Sequence, residues 1–405
     1  MITKIHKSNL NGTIRICLSK SYEQRVWAIS ALMHEDIMVH NSGNSADVEA
    51  CRNIAKVIKS VDQTFNCGES ALCARMFPPI IALNYENFTI EGEGTLTSRN
   101  IDRDLQFYED TFGWKVSHEG FPIHISNAHI APGNFTLDGS HTSQIITGLI
   151  LALSTLVGNS SLTIENPTSI GYILMTIDVA NEAGAEINYS HIGNTLRVDI
   201  NGAAKFSKKV FEIEGDWSNA AFLIVAGLTS GNIGISGLSR NSLQPDMAIM
   251  KVMDSCKAKY EWQDKTLFVH KSDIGRFDFD ASDCPDLIPP LCALALDANS
   301  VCKIKGANRL ANKESNRLEA ILGELGKLGA NVETDGKSII IHPQKNINSA
   351  IVNSHNDHRI AMMMAIIGLK SEEMTISGCE CVNKSYPDFF EALRIIGGRV
   401  SSVKS

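Results

Sequence analysis

Five short segments combine a small polar residue or glycine with charged side chains, and each precedes an apolar stretch that predicts a helix. They are Ser19–Ser21 with Arg25, Asp138–Gln144, Asn312–Arg317, Asn356–Arg359 and Asn383–Ser385. The first turn of a helix exposes backbone N–H groups and carries a partial positive charge. Arginine adds a two-pronged donor and lysine adds a point charge. These segments therefore predict that phosphate or carboxylate groups bind at helix starts.

An ordinary capped helix explains any one of these segments, because Ser, Asn and Asp are common capping residues. Five such segments in one chain are better explained by a site for anionic ligands. The overall net charge is −8, so the basic character must be local to that site. This balance does not favour a nucleic-acid partner.

The chain has 405 residues, which is longer than one hydrophobic core usually supports. We expect two large domains or several small units. Hydrophobic residues make up 43% and charged residues 20%, as is typical of a soluble globular protein. No apolar run is long enough to cross a bilayer, and the polar residues 1–10 are not typical of a signal peptide. We therefore expect a cytoplasmic location and no membrane partner.

Ten cysteines are spread singly, apart from the close pair Cys379 and Cys381. We expect reduced thiols in the core, because no second ligand pair occurs at zinc spacing. His355 and His358 are the alternative metal ligands, but no third ligand is near them in the sequence. We expect neither a metal nor a cofactor.

Helical stretches that end in glycine and run into a strand hairpin recur about every seventy residues. The glycines are Gly113, Gly184, Gly329 and Gly397, and a missing member is expected near Lys257. Glycine suits a helix end because it adopts the left-handed conformation. About six units with two helices each predict an α/β (α+β) fold. A clamp-like scaffold has similar repeats, but its basic residues would be spread through them.

Five motifs, in order along the chain, resemble those of the 5-enolpyruvylshikimate-3-phosphate (EPSP) synthases, an enolpyruvyltransferase family. Ser19–Ser21 with Arg25 resembles the N-terminal Ser-Lys-Ser motif, and Gly139–Gln144 resembles the phosphate-binding Ser/Thr-Ser-Gln turn. Lys313–Arg317 resembles the Lys-Glu-Ser-Asp-Arg signature, and Asn356–Met362 the Asp-His-Arg-x-Ala-Met signature. Lys384–Phe390 resembles the Lys-Ser/Thr-Tyr/Phe-Pro run near the C-terminus.

The resemblance implies a two-domain fold of six βαβαββ repeats, three in each domain. By that pattern residues 16–214 form an inserted domain, and residues 1–15 with 215–405 form the second. The active site is implied to lie in the cleft between them. The implied reaction transfers the enolpyruvyl group of phosphoenolpyruvate to the 5-hydroxyl of shikimate 3-phosphate, a step of aromatic amino-acid biosynthesis. We expect a monomer whose partners are these two small molecules.

The resemblance also assigns roles to individual residues. Those implied to bind shikimate 3-phosphate are Lys20, Ser21, Arg25, Thr142, Ser143, Gln144, Ser169, Asp286 and Lys313. Those implied to bind phosphoenolpyruvate are Lys20, Ala71, Arg99, Gln144, Arg317, Arg359 and Lys384. The residues implied to be catalytic are Asp286, Glu314 and Lys20.

The reaction needs one base for the attacking hydroxyl and one acid for the methylene carbon of phosphoenolpyruvate. Asp286 is the implied base, and Glu314 is the implied acid, which reverses its role when phosphate leaves. Without the resemblance, Asp286 would be a cap before the helix predicted at Leu287–Leu296. Glu314 would be a carboxylate stabilised by a helix dipole. Nearby cations lower a carboxyl pKa and burial raises it, and the sequence leaves open which effect is larger.

Several positions depart from the family pattern. Cys17 and Asn100 stand where proline is usual, and Asn316 replaces an acid. Ala71 occupies a glycine position beside phosphoenolpyruvate, where its methyl group is expected to weaken inhibition by the longer ligand glyphosate. Two alternatives stay open: the enolpyruvyltransferase that acts on UDP-N-acetylglucosamine, and a catalytically silent relative that binds anions. The first uses a Lys-Asn pair and a reactive loop cysteine, whereas this chain has Lys20-Ser21.

Overall fold

The computed structural model describes residues 1–33 and 35–403. These residues form twelve α-helices, the number expected from the repeat pattern. The helices are α1 (Lys20–Leu32), α2 (Ala46–Val57), α3 (Ala71–Ile81), α4 (Asp102–Phe112), α5 (Gln144–Thr155), α6 (Ile170–Ala183), α7 (Trp217–Ser230), α8 (Ile249–Ser255), α9 (Ile288–Ala295), α10 (Arg317–Lys327), α11 (His358–Gly368) and α12 (Phe389–Ile395).

The described strands alternate with these helices. They are β1 (Ile2–His6), β2 (Leu10–Arg15), β3 (Met38–His40), β4 (Thr64–Asn66), β5 (Phe88–Glu91), β6 (Lys115–Ser117), β7 (Ile123–Ser126), β8 (Asn134–Asp138), β9 (Ser160–Glu165), β10 (Glu186–Ile192), β11 (Thr195–Asn201), β12 (Val210–Glu212), β13 (Gly231–Ser236), β14 (Lys259–Gln263), β15 (Thr266–His270), β16 (Asp278–Asp280), β17 (Cys302–Lys305), β18 (Val332–Thr334), β19 (Ser338–Ile341), β20 (Ala350–Asn353), β21 (Met374–Ser377) and β22 (Arg399–Val403).

Five four-stranded sheets share one plan. In the sheet ordered β4-β5-β7-β6, β4 and β5 are parallel, whereas β7 pairs antiparallel with both β5 and β6. A parallel pair needs a crossover connection, which α3 supplies, and an antiparallel pair needs only a short turn. The other orders are β8-β9-β11-β10, β2-β13-β15-β14, β16-β17-β19-β18 and β20-β21-β1-β22. Each sheet with its two helices is one βαβαββ repeat.

The sixth repeat is reduced. In the part of the chain that the structure describes, its sheet consists of β3 and β12 alone, which pair in parallel with Met38 opposite Val210. β3 is three residues long, and the chain turns at Asn41, whose φ is +56°, before entering α2. The fold class predicted from the sequence is confirmed, with five complete repeats and one shortened one.

The start of the chain is built into the same compact unit as its end. β1 lies between β21 and β22, with Ile2 opposite both Ser377 and Val403. β2 pairs in parallel with β13. One compact unit therefore comprises Met1–Leu18 together with the chain from Glu214 onward, and the second comprises Ser19–Ile213.

The helix ends follow the predicted repeat. Gly113, Gly184, Gly329 and Gly397 all have positive φ, between +69° and +116°, in the region that disfavours side chains. The missing member is Lys257, whose φ is +57° and which is followed by the β14–β15 hairpin. Lysine therefore adopts the left-handed conformation here at an energetic cost that the other repeats avoid with glycine.

Each unit has inner helices that are buried on almost every side. Every residue of α7 and α11 is buried, and these helices pack against α9. In the unit Ser19–Ile213, α5 packs against α3 and α6. A Cβ atom at Gly148 of α5 would lie 2.2 Å from the carbonyl oxygen of Met76, so only glycine allows this close approach.

All ten cysteines are free thiols, and nine of them are buried, as expected for core residues. Among the described helices, none combines the length and apolar character that a membrane crossing requires.

Candidate active site

Four of the five predicted segments lie at helix starts. Lys20, Gln144 and Arg317 are the first residues of α1, α5 and α10, and Arg359 is the second residue of α11. Residues of these segments also cap the helices. The Ser19 Oγ accepts a hydrogen bond from the Tyr22 N–H, and the Asp357 side chain accepts one of 2.9 Å from the Arg359 N–H.

The prediction for the fifth segment was wrong. Lys384 is the last residue of the 3-10 helix Cys379–Lys384, and α12 begins five positions later at Phe389. Pro387 explains the interruption, because the residue before a proline avoids the helical conformation. Lys384 is nevertheless buried, so its ammonium group is held within the fold.

In the unit Ser19–Ile213, Arg25 is 2% exposed and lies between three helices. It donates to the Thr176 Oγ1 (2.8 Å), the Thr147 Oγ1 (3.4 Å) and the carbonyl oxygens of Ser21 (2.6 Å) and Tyr172 (3.0 Å). All of these acceptors are uncharged. Among the described residues, no carboxylate pairs with Arg25, and burial lowers its pKa to about 10. Its positive charge is therefore available to an anion bound near the starts of α1, α5 and α6.

Lys20 forms an ion pair with Asp47 at 2.9 Å, and both side chains are largely buried. The Gln24 Nε2 donates to the Asp47 carbonyl oxygen at 3.3 Å and to the Ser70 Oγ at 3.0 Å. Ser70 is the N-cap of α3. This chain of contacts ties the start of α1, which carries Lys20 and Ser21, to the start of α3, where Ala71 is the first residue.

The predicted hydroxyl ligands lie at the starts of α5 and α6. The Thr142 Oγ1 accepts a 3.1 Å hydrogen bond from the Gln144 N–H, and Ser143 is the buried N-cap residue of α5. Ser169 precedes α6 with φ +53°, which is strained for a residue other than glycine.

Arg99 follows the 3-10 helix Gly94–Ser98 and lines a cavity of about 270 Å³ together with Asp102, His118 and Phe121. The carboxylate of Glu69 holds this 3-10 helix in place. It accepts hydrogen bonds from the Thr95 N–H (2.9 Å) and Oγ1 (2.6 Å).

The other unit contains a compact cluster of charges at the starts of α9, α10 and α11, with Arg317 at its centre. Arg317 is fully buried and donates to three carboxylates. Its Nε contacts the Asp357 Oδ2 (2.8 Å), its Nη1 the Asp286 Oδ1 (2.9 Å) and its Nη2 the Glu314 Oε2 (2.5 Å). Burial alone would lower the pKa of Arg317, but these carboxylates outweigh it and raise the pKa above its ordinary value.

Asp286 is surrounded by cations. Its carboxylate lies 2.9 Å from Arg317, 3.0 Å from Arg359 and 3.5 Å from Lys313. Burial alone would raise the pKa of Asp286, but the charges of Arg359, Lys313 and Arg317 outweigh it and hold the pKa well below its ordinary value. Asp286 does not cap α9, whose N-cap residue is Leu287, so the capping alternative is wrong.

Burial also shifts the pKa values of cations close to Asp286. Burial lowers the pKa of Lys313, although Asp286 partly opposes the shift. Arg309 lies nearby, and burial lowers its pKa as well. Arg359 is buried and its Nη1 also reaches the Asp286 carbonyl oxygen at 3.5 Å. The cluster therefore concentrates three carboxylates and at least three cations within one small volume.

A buried carboxylate supports the turn that precedes Arg359. His355 and Asn356 both have φ near +54°, and the His355 Nε2 lies 2.6 Å from the Glu324 Oε1. Glu324 is a residue of α10 whose side chain is 2% exposed, and it also accepts from Lys327 (2.8 Å) and the Asn353 N–H (3.1 Å). Glu324 thus fixes this strained turn to the helix that begins with Arg317.

We expect Glu324→Gln to lower the free energy of unfolding by about 1.5–3 kcal/mol at pH 7, because charged hydrogen bonds are lost. Burial raises the pKa of Glu324, but Lys327, His355 and the Asn353 amide outweigh it, so the pKa is lowered. The stabilisation is therefore present above the ordinary glutamate pKa of about 4.3 and is lost as the pH falls below it. Urea unfolding at pH 7 and pH 4 measures the free energy of unfolding of both proteins. The difference between wild type and Glu324→Gln should be smaller at pH 4. Glu319 is an exposed residue of the same helix, and Glu319→Gln should leave the free energy of unfolding unchanged at both pH values.

His355 and His358 are the alternative metal ligands that the sequence offers. His355 contacts the Glu324 carboxylate, and His358 is buried in α11. Over residues 1–33 and 35–403, no group of three His, Cys, Asp or Glu side chains is arranged to hold a metal ion.

Comparison with known proteins identifies the family of this chain. The sequence model of the EPSP synthase (3-phosphoshikimate 1-carboxyvinyltransferase) family matches residues 53–393. The chain belongs to this family. A 3-phosphoshikimate 1-carboxyvinyltransferase of Clostridium acetobutylicum is 34% identical, with 98% of this chain and 97% of that protein aligned. One of Brachyspira hyodysenteriae is 29% identical over 99% of this chain and all of that protein.

Solved structures show the same fold at lower identity. An EPSP synthase from Acinetobacter baumannii superposes with a TM-score of 0.80 at 19% identity, covering 99% of this chain and 100% of that one. The enolpyruvyl transferase NikO from Streptomyces tendae superposes with a TM-score of 0.77 at 15% identity, covering 99% and 98% of the two chains. The predicted two-domain enolpyruvyltransferase fold is therefore confirmed.

Four residues around the family motifs were not assigned roles from the sequence. Asp357 lies within a quoted motif but was given no role, although it binds Arg317. Asp47 pairs with Lys20, and Arg75 contacts both Asp104 and Gln144. Asp47, Arg75 and Asp104 each follow a helix start by one to four positions, but that signal is shared by many surface residues.

Proposed function

We propose that this chain transfers the enolpyruvyl group of phosphoenolpyruvate to the 5-hydroxyl of shikimate 3-phosphate and releases phosphate. The observation that carries the proposal is the cluster of Asp286, Lys313, Glu314, Arg317 and Arg359, which brings carboxylates for proton transfer together with cations for anionic substrates. Full-length similarity to 3-phosphoshikimate 1-carboxyvinyltransferases supports the choice of substrates.

The reaction proceeds by addition and elimination. In the addition, the 5-hydroxyl oxygen bonds to C2 of phosphoenolpyruvate, Asp286 takes the hydroxyl proton, and Glu314 gives a proton to C3. In the elimination, Glu314 takes a proton back from C3, the C2–C3 double bond re-forms, and the bond between C2 and the phosphate oxygen breaks. The leaving phosphate gains one proton, which balances the hydroxyl proton that Asp286 took and releases when its carboxylate is regenerated. Each carboxylate therefore acts on one reacting atom.

The low pKa of Asp286 makes it a weak base as long as three cations surround it. An anionic substrate that pairs with Arg317 and Arg359 would draw their charge away from Asp286 and raise its basicity. Binding of phosphoenolpyruvate would thus prepare the base for the hydroxyl proton. In this way the ion pairs around Asp286 would link substrate binding to proton transfer.

The proposed ligands fall into two groups along the chain. In the unit Ser19–Ile213 they are Lys20, Ser21, Arg25, Ala71, Arg99, Thr142, Ser143, Gln144 and Ser169, and in the other unit Asp286, Lys313, Arg317, Arg359 and Lys384. We infer that shikimate 3-phosphate is held mainly by the first group and that Lys20 also reaches phosphoenolpyruvate. The two units would be the two domains of the family.

The test is a steady-state assay of the purified protein for phosphate release, with chromatographic detection of the enolpyruvyl product. We expect turnover that requires both shikimate 3-phosphate and phosphoenolpyruvate. Turnover with UDP-N-acetylglucosamine in place of shikimate 3-phosphate would favour the related enolpyruvyltransferase. Binding of both ligands without turnover would identify a silent relative and refute the proposal.

Ala71→Gly is expected to strengthen inhibition by glyphosate about tenfold, the lower end of the roughly 1–3 kcal/mol cost of overpacking by one methyl group. Ala71 is buried at the first position of α3 and follows Ser70, which accepts a hydrogen bond from Gln24 of α1, the helix that begins with Lys20. The KM for phosphoenolpyruvate should fall less, because that ligand is shorter. Inhibition assays of both proteins measure the effect, and equal inhibition constants would refute the steric explanation.

A further inference from the structure

Arg75 joins three parts of the unit Ser19–Ile213. It lies on α3 with its side chain 11% exposed. Its Nε contacts the Asp104 Oδ2 of α4 at 2.5 Å, its Nη1 the Gln144 Oε1 at 3.0 Å, and its Nη2 the Asn100 carbonyl oxygen at 2.8 Å. Asp104 is also largely buried, so this ion pair is a fixed part of the fold.

The chemistry of the guanidinium group determines which way Gln144 is turned. Arginine can only donate hydrogen bonds, so the atom of the Gln144 carboxamide that faces Arg75 must be the oxygen. The NH₂ group of Gln144 then points away from Arg75. Within the described residues, that nitrogen makes no hydrogen bond to the protein, and the Gln144 side chain is partly exposed. Two N–H donors are therefore presented to whatever binds at the start of α5.

We propose that Arg75 is a positioning residue, which holds the Gln144 carboxamide so that its NH₂ group donates to the anionic substrates, while Asp104 holds Arg75. This inference rests on the proposed function, in which Gln144 contacts both substrates. Without Arg75, the carboxamide could rotate and present its oxygen, an acceptor, to a phosphate or carboxylate. The donor orientation is the one that an anion requires.

Arg75 could also affect substrate binding without acting on Gln144. The contact of Arg75 with the Asn100 carbonyl oxygen lies next to Arg99, so Arg75 could affect binding through the Arg99 segment instead. It could also act through general stability, since it neutralises Asp104. Neither of these two effects would depend on the Gln144 side chain. A double-mutant cycle distinguishes them, because residues that act through each other give non-additive effects.

The experiment compares wild type, Arg75→Met, Gln144→Ala and the double variant by kcat and KM for each substrate. We expect each single variant to lower kcat/KM by about tenfold, mainly through KM. Adding Arg75→Met to the Gln144→Ala protein should change kcat/KM by less than about twofold. If the fall in kcat/KM of the double variant equals the product of the falls in the two single variants, the proposal is wrong. Arg103→Met, an exposed arginine beside Asp104, is the matched control and should behave as wild type.

A second set of variants keeps the proposal testable if Arg75→Met unfolds the protein. Arg75→Met with Asp104→Asn removes both charges together, so no buried carboxylate is left unpaired. Gln144→Glu keeps an acceptor facing Arg75 but replaces the NH₂ donors, and it should raise both KM values at least as much as Gln144→Ala. Wild-type KM values for Gln144→Glu would refute the donor role. A wild-type protein without turnover would instead refute the proposed function, and the positioning role with it.

Discussion

Replacing Glu314 with glutamine is expected to lower kcat by at least about a hundredfold, because proton transfer by a positioned side chain contributes roughly 10²–10⁴. Glutamine has nearly the same shape and can still accept the hydrogen bond from Arg317. The fold and the KM values should therefore change little, so that the loss appears in kcat. Single-turnover measurements with both substrates would show whether the slow step is protonation of C3.

Asp286→Asn tests the partner of Glu314 in the same reaction. Asparagine is preferable to alanine, because three cations contact Asp286 and an empty position would leave them without an acceptor. We expect a similar loss in kcat if Asp286 takes the hydroxyl proton. Near-normal turnover of Asp286→Asn together with an inactive Lys313→Met would assign the base role to Lys313 instead, whose pKa burial lowers.

The control for both substitutions is Glu319→Gln. Glu319 is an exposed carboxylate in the first turn of α10, two positions after Arg317, the fully buried centre of the charge cluster. It tests whether removing any negative charge near this helix start affects catalysis through the local field. Wild-type activity of this variant, with loss in Glu314→Gln, would tie the effect to the Glu314 carboxyl itself.

The sequence predicts local features of this protein well, because caps and helix periodicity depend on a few neighbouring residues. Ser19 and Asp357 lie in two of the predicted helix-start segments, and they cap α1 and α11. The repeat spacing also predicted a helix end near Lys257, where glycine is absent, and Lys257 adopts the left-handed conformation there. Lys384 shows the limit of such predictions, because Pro387 separates it from the next helix.

The partners of the charged residues could not be predicted in the same way. Arg317 contacts Asp286 and Asp357, which lie 31 and 40 positions away in the sequence. Which residues meet depends on how α9, α10 and α11 pack, and no local pattern encodes that. The sign of the pKa shift of Asp286 depends on the same packing, because burial and nearby cations act in opposite directions.

Arg25→Met is expected to raise the KM for shikimate 3-phosphate by about tenfold to a hundredfold, as the loss of a charged contact of about 1.5–3 kcal/mol implies. The same variant should be at least as stable as wild type. A buried cation without a carboxylate partner is costly, and methionine fills a similar volume without that cost. Thermal unfolding and steady-state kinetics measure the two effects on one preparation.

The neighbours of Arg25 would keep their hydrogen bonds in this variant. The Thr176 Oγ1 also donates to the Tyr172 carbonyl oxygen at 2.9 Å, and the Thr147 Oγ1 donates to the Ser143 carbonyl oxygen at 3.2 Å. The two hydroxyls also contact each other at 3.1 Å. Removing the guanidinium therefore leaves both hydroxyls with hydrogen-bond partners, which is why stability should not fall.

Arg52→Met in the same unit is the opposite case. Arg52 lies 3.7 Å from Glu23, whose carboxylate is fully buried, and it stacks on Trp27 at 5.3 Å. Its removal should lower the melting temperature and leave the KM for shikimate 3-phosphate unchanged. If Arg25→Met instead lowers stability without changing that KM, Arg25 is a structural residue like Arg52. The two arginines are expected to differ because their partners differ. Arg52 neutralises a buried carboxylate, whereas Arg25 contacts uncharged oxygens, so its positive charge can act on a ligand.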